Sequence, residues 1–199
     1  MESNSMKPGK IIILNGTSSS GKTSIVKALQ KMLDDPFLDA GIDKFIWMLP
    51  KRYLNQPLWD EVLGLATEAG PVGHRLFSGM HQTIAALSQA GNNVVADHVM
   101  VEKSWIDECA ALFSTLPAWF VGIHCPLPVL EQREAARKDR TLGQARAQFD
   151  LVHAHSIYDF EVDTSKLSPE ECALEIMRGV ENGRLPTAFK QMNDQSNAG

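Results

Sequence analysis

Eight consecutive residues, Gly16-Thr-Ser-Ser-Ser-Gly-Lys-Thr23, fill the spacing G-x-x-x-x-G-K-[ST]. Each position answers a demand of phosphate chemistry. Gly16 and Gly21 let the backbone turn and bring its N–H groups close to phosphate oxygens. Lys22 stands where it can reach β- and γ-phosphates, and the Thr23 hydroxyl is a hard oxygen ligand suited to Mg²⁺. The context strengthens the pattern. Lys10-Ile-Ile-Ile-Leu-Asn15 immediately before it reads as a buried parallel strand, and a helical pattern opens on Lys22. A Gly/Ser-rich turn that happened to contain lysine would need neither. Gly16, Thr17, Ser18, Ser19, Ser20, Gly21, Lys22 and Thr23 are therefore expected to hold a nucleoside triphosphate, helped by the partial positive charge of the helix N-terminus.

Other residues can serve the same chemistry. Asp97 closes the apolar run Val94-Val-Ala-Asp97, where a carboxylate at the end of a parallel strand can organise Mg²⁺, directly or through water. A turn-forming Asp is the plainer reading. His98 follows it and, by alternation, points away from the site. Arg133, Arg137 and Arg140 recur at spacings of four and three. They are either a solvated helix face paired with Glu134 and Asp139 or a set of lid guanidinium groups that neutralise a transferring phosphoryl group. Asp43 follows the second apolar stretch at the expected carboxyl edge of the sheet. It fits a general base for a hydroxyl acceptor and fits equally well an N-cap for a helix beginning at Lys44. His153 and His155 stand two apart, so one helical face cannot present both to a metal. The tryptophans and Phe45 could line an acceptor pocket, although core packing is the default for each.

These residues need elements to hold them. Strands are expected at Lys10–Asn15, within Phe37–Asp43, and at Asn93–Asp97, Ala118–Cys125 and Tyr158–Val162. Helices are expected at 23–33, 44–49, 72–90, 103–113, 127–138 and 144–156, the last two separated by a break at Thr141-Leu-Gly143. A final helix is announced by the capping box Ser168-Pro-Glu-Glu171. Pro50–Pro71 has no sustained period and reads as an excursion over the site. Strands alternating with helices predict an α/β fold with a parallel sheet of about five strands and helices on both faces. The chemistry-bearing core spans 10–183, with flexible tails at 1–9 and 184–199.

Composition excludes several classes. The 199 residues carry a net charge of −5, against a general affinity for nucleic acid or anionic membrane. No apolar run reaches about 18 residues and the first nine residues are polar, so neither a membrane span nor a signal peptide is expected. Cys109, Cys125 and Cys172 form no metal-binding spacing and read as buried reduced thiols, which points to the cytoplasm. The guanine-specifying Asn-Lys-x-Asp motif is absent, against a GTPase switch. No sequence signal indicates an oligomeric state.

With these residues in view, the chain resembles the chloramphenicol phosphotransferase family. The resemblance runs through Ile12-Ile-Leu-Asn-Gly16, Ser18-Ser-x-Gly-Lys22, Gly41-Ile-Asp43, Val121-Gly-Ile-His-Cys125, Arg133-Glu-x-Ala-Arg137-x-Asp-Arg140 and Val152-His153, ending in Tyr158-Asp-x-Glu-Val-Asp-Thr164. The loop is shared by very many proteins; the arginine segment and the Tyr-Asp ending are more selective. The resemblance implies a three-layer P-loop NTPase fold with a helical lid, ATP and Mg²⁺ as cofactors, and a small-molecule hydroxyl acceptor, chloramphenicol being the named candidate. It implies Asp43 as the base and Arg137 and Arg140 as lid residues. Where the family's antibiotic-producer member has a second Asp after the strand carboxylate, this chain has His98, and the 50–71 segment differs as well. A kinase of a nucleoside, nucleotide or other metabolite is the second enzymatic reading, and a non-catalytic nucleotide-binding switch is the reading from another class.

Overall fold

The computed structural model describes residues 7–55, 57–63, 67–137 and 142–198. The apolar runs become strands β1 (Ile11–Asn15), β2 (Phe37–Asp39), β3 (Asn93–His98), β4 (Ala118–His124) and β5 (Phe160–Asp163). They pair in parallel in the order β2-β3-β1-β4-β5. β1 lies centrally and is buried throughout, which is why it reads as an unbroken apolar run rather than an alternating one. Its register sets Leu14 beside Asp97 and Asn15 beside His98. The chemistry-bearing ends of β1 and β3 therefore finish level.

Alternation divides the core in two. Ile11, Ile13, Val94, Ala96 and Phe120 face a layer containing α2 (Ile42–Ile46), α4 (Pro71–Gln89), α5 (Lys103–Phe113) and α9 (Ala188–Asn197). Ile12, Leu14, Val95, Val121 and Val162 face α1 (Lys22–Met32) and α8 (Pro169–Glu181) on the other side. The result is the three-layer α/β arrangement. The capping box forms as its sequence implies: Glu171 N–H donates to Ser168 Oγ at 3.2 Å, and Ser168 N–H donates to Glu171 Oε2 at 2.8 Å. All three cysteines are free and buried. Among the described residues no helix is long and apolar enough to cross a membrane.

Several elements differ from the sequence expectation, each for a local reason. The 184–199 stretch, expected as a flexible tail, holds α9, whose mean polarity hides three buried residues, Ala188, Phe189 and Met192. Phe189 stacks on Phe120 at 4.8 Å and meets Phe113 edge-on at 5.2 Å. Burying one such ring stabilises by roughly 1.5–3 kcal/mol, and that contact holds the helix against the core. At the other end, the 1–9 tail is held from its last residue: Gly9 N–H donates to Ser88 O, and Ser88 Oγ donates to Gly9 O. Residues 1–6 lie outside the described chain. α2 begins two residues before the expected Lys44. The excursion at 50–71 contains a 3-10 turn, Lys51–Leu54, and the one-turn helix α3 (Asp60–Leu63). The expected helix 127–138 ends as α6 (Leu127–Ala135), and that at 144–156 shortens to α7 (Gln144–Phe149) followed by turns.

Candidate active site

The loop from Gly16 to Thr23 links β1 to α1 as its spacing requires. A Cβ at Gly16 would lie 2.6 Å from Ile123 O, so only glycine lets the loop pass this close to β4. Gly21 adopts φ +93° as the N-cap of α1, and Ser19 adopts φ +63°, a left-handed turn that L-residues seldom take. Lys22 is buried and donates from Nζ to Gly16 O and Thr17 O, both at 2.7 Å, closing the loop on itself. The buried hydroxyls of Ser19 and Ser20 have no hydrogen-bond partner among the described residues. Buried polar atoms left in this state are costly, and an anionic ligand would satisfy them.

Thr23 and Asp97 meet at the mouth of the loop, Thr23 Oγ1 donating to Asp97 Oδ2 at 2.7 Å. Hydroxyl and carboxylate oxygens suit a hard divalent cation that keeps much of its water and takes its other ligands from phosphate. Among the described residues no cluster of three or more His, Cys, Asp or Glu side chains forms an all-protein metal cage. The pair therefore fits Mg²⁺ of the phosphate-bound kind. Gly41 backs this carboxylate: a Cβ there would stand 2.0 Å from Asp97 Oδ1. Gly41→Ala is expected to push Asp97 off Thr23 and cost about 1–3 kcal/mol, the usual price of overpacking. Thermal unfolding checks it, and a variant as stable as the parent would contradict the contact.

Asp43 sits in the first turn of α2. Gly41 is the N-cap and no side chain caps this helix, so the capping role open to Asp43 in the sequence is not the one it fills. A cavity of about 780 Å³ runs past it. Ser18, Ser19, Lys22, Thr23 and Asp97 bound the cavity at the loop; Ile42, Ile46, Trp47, Leu54, Trp59 and Leu63 make an apolar end; Asp43 and Arg137 lie on its walls. Trp47 and Trp59 thus take the lining role, whereas Trp105, Trp119 and Phe45 are core residues. A second groove of about 450 Å³ runs along the outer side of the loop, between Arg133, Thr164, Leu167 and Pro169.

Arg133 and Arg137 do not share one helical face. α6 stops at Ala135, and Arg137 lies beyond its C-cap, its N–H donating to Glu134 O in a tightened last turn. Arg133 is anchored, Nη2 donating to Thr164 O at 2.7 Å and Nη1 to Thr164 Oγ1 at 3.1 Å. Glu134 is buried rather than solvated, and its carboxylate accepts the N–H groups of Gly143 and Ala145 at 2.7 and 2.9 Å. That carboxylate clamps the start of α7 to the end of α6. Arg140 lies outside the described residues.

Two buried hydrogen-bond hubs support the site, and the sequence reading missed both. Asn15 accepts Met100 N–H at 2.8 Å and donates to Val152 O and Tyr158 OH, also at 2.8 Å each. Burial pushes the Tyr158 hydroxyl up to about 12, so it keeps its proton. Burial, together with the His124 and Lys22 charges, pulls His153 down to about 4, so its neutral Nδ1 accepts from Tyr158 OH at 2.6 Å. His153 also stacks on His124 at 4.2 Å. The second hub starts at His98, which points into the core as alternation requires. Burial, with His81 alongside, holds it well below its usual value. Its Nδ1 accepts Val99 N–H at 2.8 Å, which places the ring proton on Nε2, facing His81 Nε2 at 3.1 Å. His81 Nδ1 then donates to Glu108 Oε2 at 2.7 Å, and the chain pins the end of β3 behind Asp97.

Comparisons with known proteins bear on the family and the fold. Residues 9–181 match the family model described as chloramphenicol phosphotransferase-like protein. Proteins from two strains of Mycobacterium tuberculosis, CDC 1551 / Oshkosh and ATCC 25618 / H37Rv, bear a provisional O-phosphotransferase name. Each is 32% identical over 200 residues, covering 94% of this chain and 89% of its own. Among solved structures, a sugar kinase from Janibacter sp. HTCC2649 superposes with a TM-score of 0.65 at 16% identity, covering 88% of this chain and 96% of its own. The APS kinase of Mycobacterium tuberculosis, in complex with AMPPNP and APS, gives 0.61 at 16% identity, covering 87% and 98%. These structures share the fold.

Proposed function

The chain belongs to the chloramphenicol phosphotransferase-like family and is a P-loop phosphotransferase, and we propose that it moves the γ-phosphoryl group of ATP to a hydroxyl of a small molecule. One observation carries this reading. A single cavity is bounded by the phosphate loop at one end and by apolar side chains at the other, with Asp43 and Arg137 on the walls between them. A binding module needs the loop; it does not need a carboxylate and an acceptor pocket opening from the same space.

In this reading the loop N–H groups and Lys22 hold the phosphates in the cavity, and the second groove takes the nucleobase between the Arg133 guanidinium and the Leu167 and Pro169 side chains. Thr23 and Asp97 would hold Mg²⁺, which neutralises charge on the β- and γ-oxygens when bound. Asp43 accepts the proton of the acceptor hydroxyl as its oxygen attacks the γ-phosphorus. An oxygen–phosphorus bond forms, the bond to the β–γ bridging oxygen breaks, and ADP leaves with that electron pair. Arg137, and Arg140 on the same segment, meet the charge that moves onto the transferring group. Arg137→Ala is therefore expected to lower turnover more than ground-state ATP affinity. A variant that only raised the Michaelis constant for ATP would contradict that role.

Chloramphenicol is the acceptor we put first, because the family is named for it and the described acceptor end is apolar. A kinase of nucleosides, nucleotides or other metabolites is the alternative. A phosphorylated acceptor would call for cations at that end, and the described side chains there are Ile, Leu and Trp together with Asn55. Buried unpaired thiols support a cytoplasmic setting. The test is ADP formation from ATP·Mg²⁺ with and without an acceptor panel headed by chloramphenicol. Acceptor-stimulated turnover supports the proposal. Nucleotide binding with no stimulation by any acceptor makes the chain a switch instead.

A further inference from the structure

The start of α4 presses against the backbone of α3. A Cβ added at Gly73 would collide with Val62 O, and would stand 2.7 Å from Val62 C and 3.0 Å from Ala69 Cβ. One added at Gly70, the N-cap of α4, would stand 2.6 Å from Asp60 O and from Glu61 Cα. Backbone atoms cannot rotate aside as a side-chain tip can, so any side chain at Gly73 must displace α3. Glycine also weakens a helix interior relative to alanine, so Gly73 holds its place against propensity. The phosphoryl-transfer scheme gives it no part.

α3 carries one wall of the cavity. Trp59 O accepts the N–H groups of Val62 and Leu63, so Trp59 and Leu63, four apart, share a face. Both line the apolar end of the cavity and pack against the core that holds Phe77 and Met80 of α4. Val62 between them is fully buried. The chain just ahead of α4 has an anchor of its own: Ala69 N–H donates to Glu102 Oε1 at 2.7 Å, and Glu102 Oε2 accepts from Ser104 Oγ at 3.3 Å and lies 3.6 Å from His74 Nε2. Ile42, Ile46 and Trp47 at the same end of the cavity come from α2 and its C-cap, and α2 packs on α4 as well. α4 is thus a common floor, and how closely α3 seats on it sets the spacing of the side chains around that end. We propose that Gly73 is a specificity-determining position: the side chain it lacks lets α3 seat on α4 and so fixes the shape of the acceptor end. The phosphate loop is built on β1 and α1 and takes no support from this contact. This assignment rests on reading the apolar end of the cavity as the acceptor pocket.

Gly73→Ala tests it beside Gly79→Ala, a change in the same helix at an exposed glycine whose added Cβ would meet nothing within 4 Å. The full chain would be assayed with ATP·Mg²⁺ and chloramphenicol, then with a panel of larger and smaller alcohols. Affinity for a non-hydrolysable ATP analogue and thermal unfolding would be followed in parallel. Gly73→Ala is expected to lower kcat/KM for the parent's best acceptor on the order of tenfold and to reorder the panel, with ATP-analogue affinity within about threefold of the parent's, since a misfit of one carbon in an apolar pocket is felt at that scale. Gly79→Ala should keep the parent's acceptor ranking and melt no lower than the parent. Glu102→Ala frees Ala69 without a clash and is expected to raise the acceptor Michaelis constant several-fold, with nucleotide affinity again parental; it decides the matter if Gly73→Ala does not fold. The parent's acceptor ranking in a folded Gly73→Ala, equal loss of acceptor and nucleotide in either variant, or failure of both variants to fold would reduce Gly73 to a packing residue and overturn the inference. A parent chain that transfers phosphate to no acceptor overturns the phosphotransferase reading itself, a result separable from any of these.

Discussion

Asp43→Asn is expected to bind nucleotide and fail at transfer. The amide keeps the shape of the side chain but cannot take up the hydroxyl proton. Transfer to the true acceptor should fall by roughly 10²–10⁴, the usual span for a positioned base. The dissociation constant for ATP·Mg²⁺ should stay within a few-fold of the parent's. The N-cap of α2 is Gly41, so the substitution leaves the capping residue itself unchanged. Calorimetric titration and single-turnover transfer decide it together. Preserved transfer would remove Asp43 from the chemistry, and joint loss of stability and nucleotide binding would make its role structural.

Lys22→Ala is expected to reduce turnover on the order of 10²-fold or more while the fold survives. Two effects add. The phosphates lose a fixed cation in a partly desolvated site, and the carbonyls of Gly16 and Thr17 lose the ammonium group that ties the loop together at 2.7 Å. Both bonds are buried, so the melting temperature should fall as well, by the equivalent of about 1–3 kcal/mol, without unfolding the domain. Steady-state turnover beside a thermal melt checks both halves. A variant with near-parental turnover would mean that the loop does not serve the reaction.

The parts of the molecule written in short-range patterns are legible in the amino-acid sequence. The loop, the five strand segments, the full span of α5 and the Ser168–Glu171 capping box are local signals, each set by neighbours within a few residues. Asp43 and Asp97 can be nominated from sequence because strand ends in a parallel sheet converge, and Arg137 from its spacing and the family resemblance. What bounds them is tertiary. The bond from Gln148 to Ser18 joins positions 130 residues apart, and that from Asn15 to Val152 joins positions 137 apart. No periodicity announces either. Gly41 carries a visible signal, since it stands in the Gly41-Ile-Asp43 stretch, but its reason lies in the Asp97 carboxylate packed against it. Glu134 misleads for the opposite reason: a glutamate between arginines on a helix reads as solvated surface, and only the return of the chain at Gly143 buries it. α9 is hidden because its average composition is polar, although Ala188, Phe189 and Met192 share one face, and Phe189 reveals its role only against Phe113 and Phe120.

The central claim is group transfer, and product mass reads it most directly. The full chain would be incubated with ATP·Mg²⁺ and chloramphenicol, followed by a wider panel of neutral and charged alcohols, with Asp43→Asn run alongside. The account predicts an acceptor that gains about 80 Da, one phosphoryl group, in step with ADP formation and only in the parent reactions. Nucleotide bound or hydrolysed with no acceptor in the panel ever gaining that mass would contradict it.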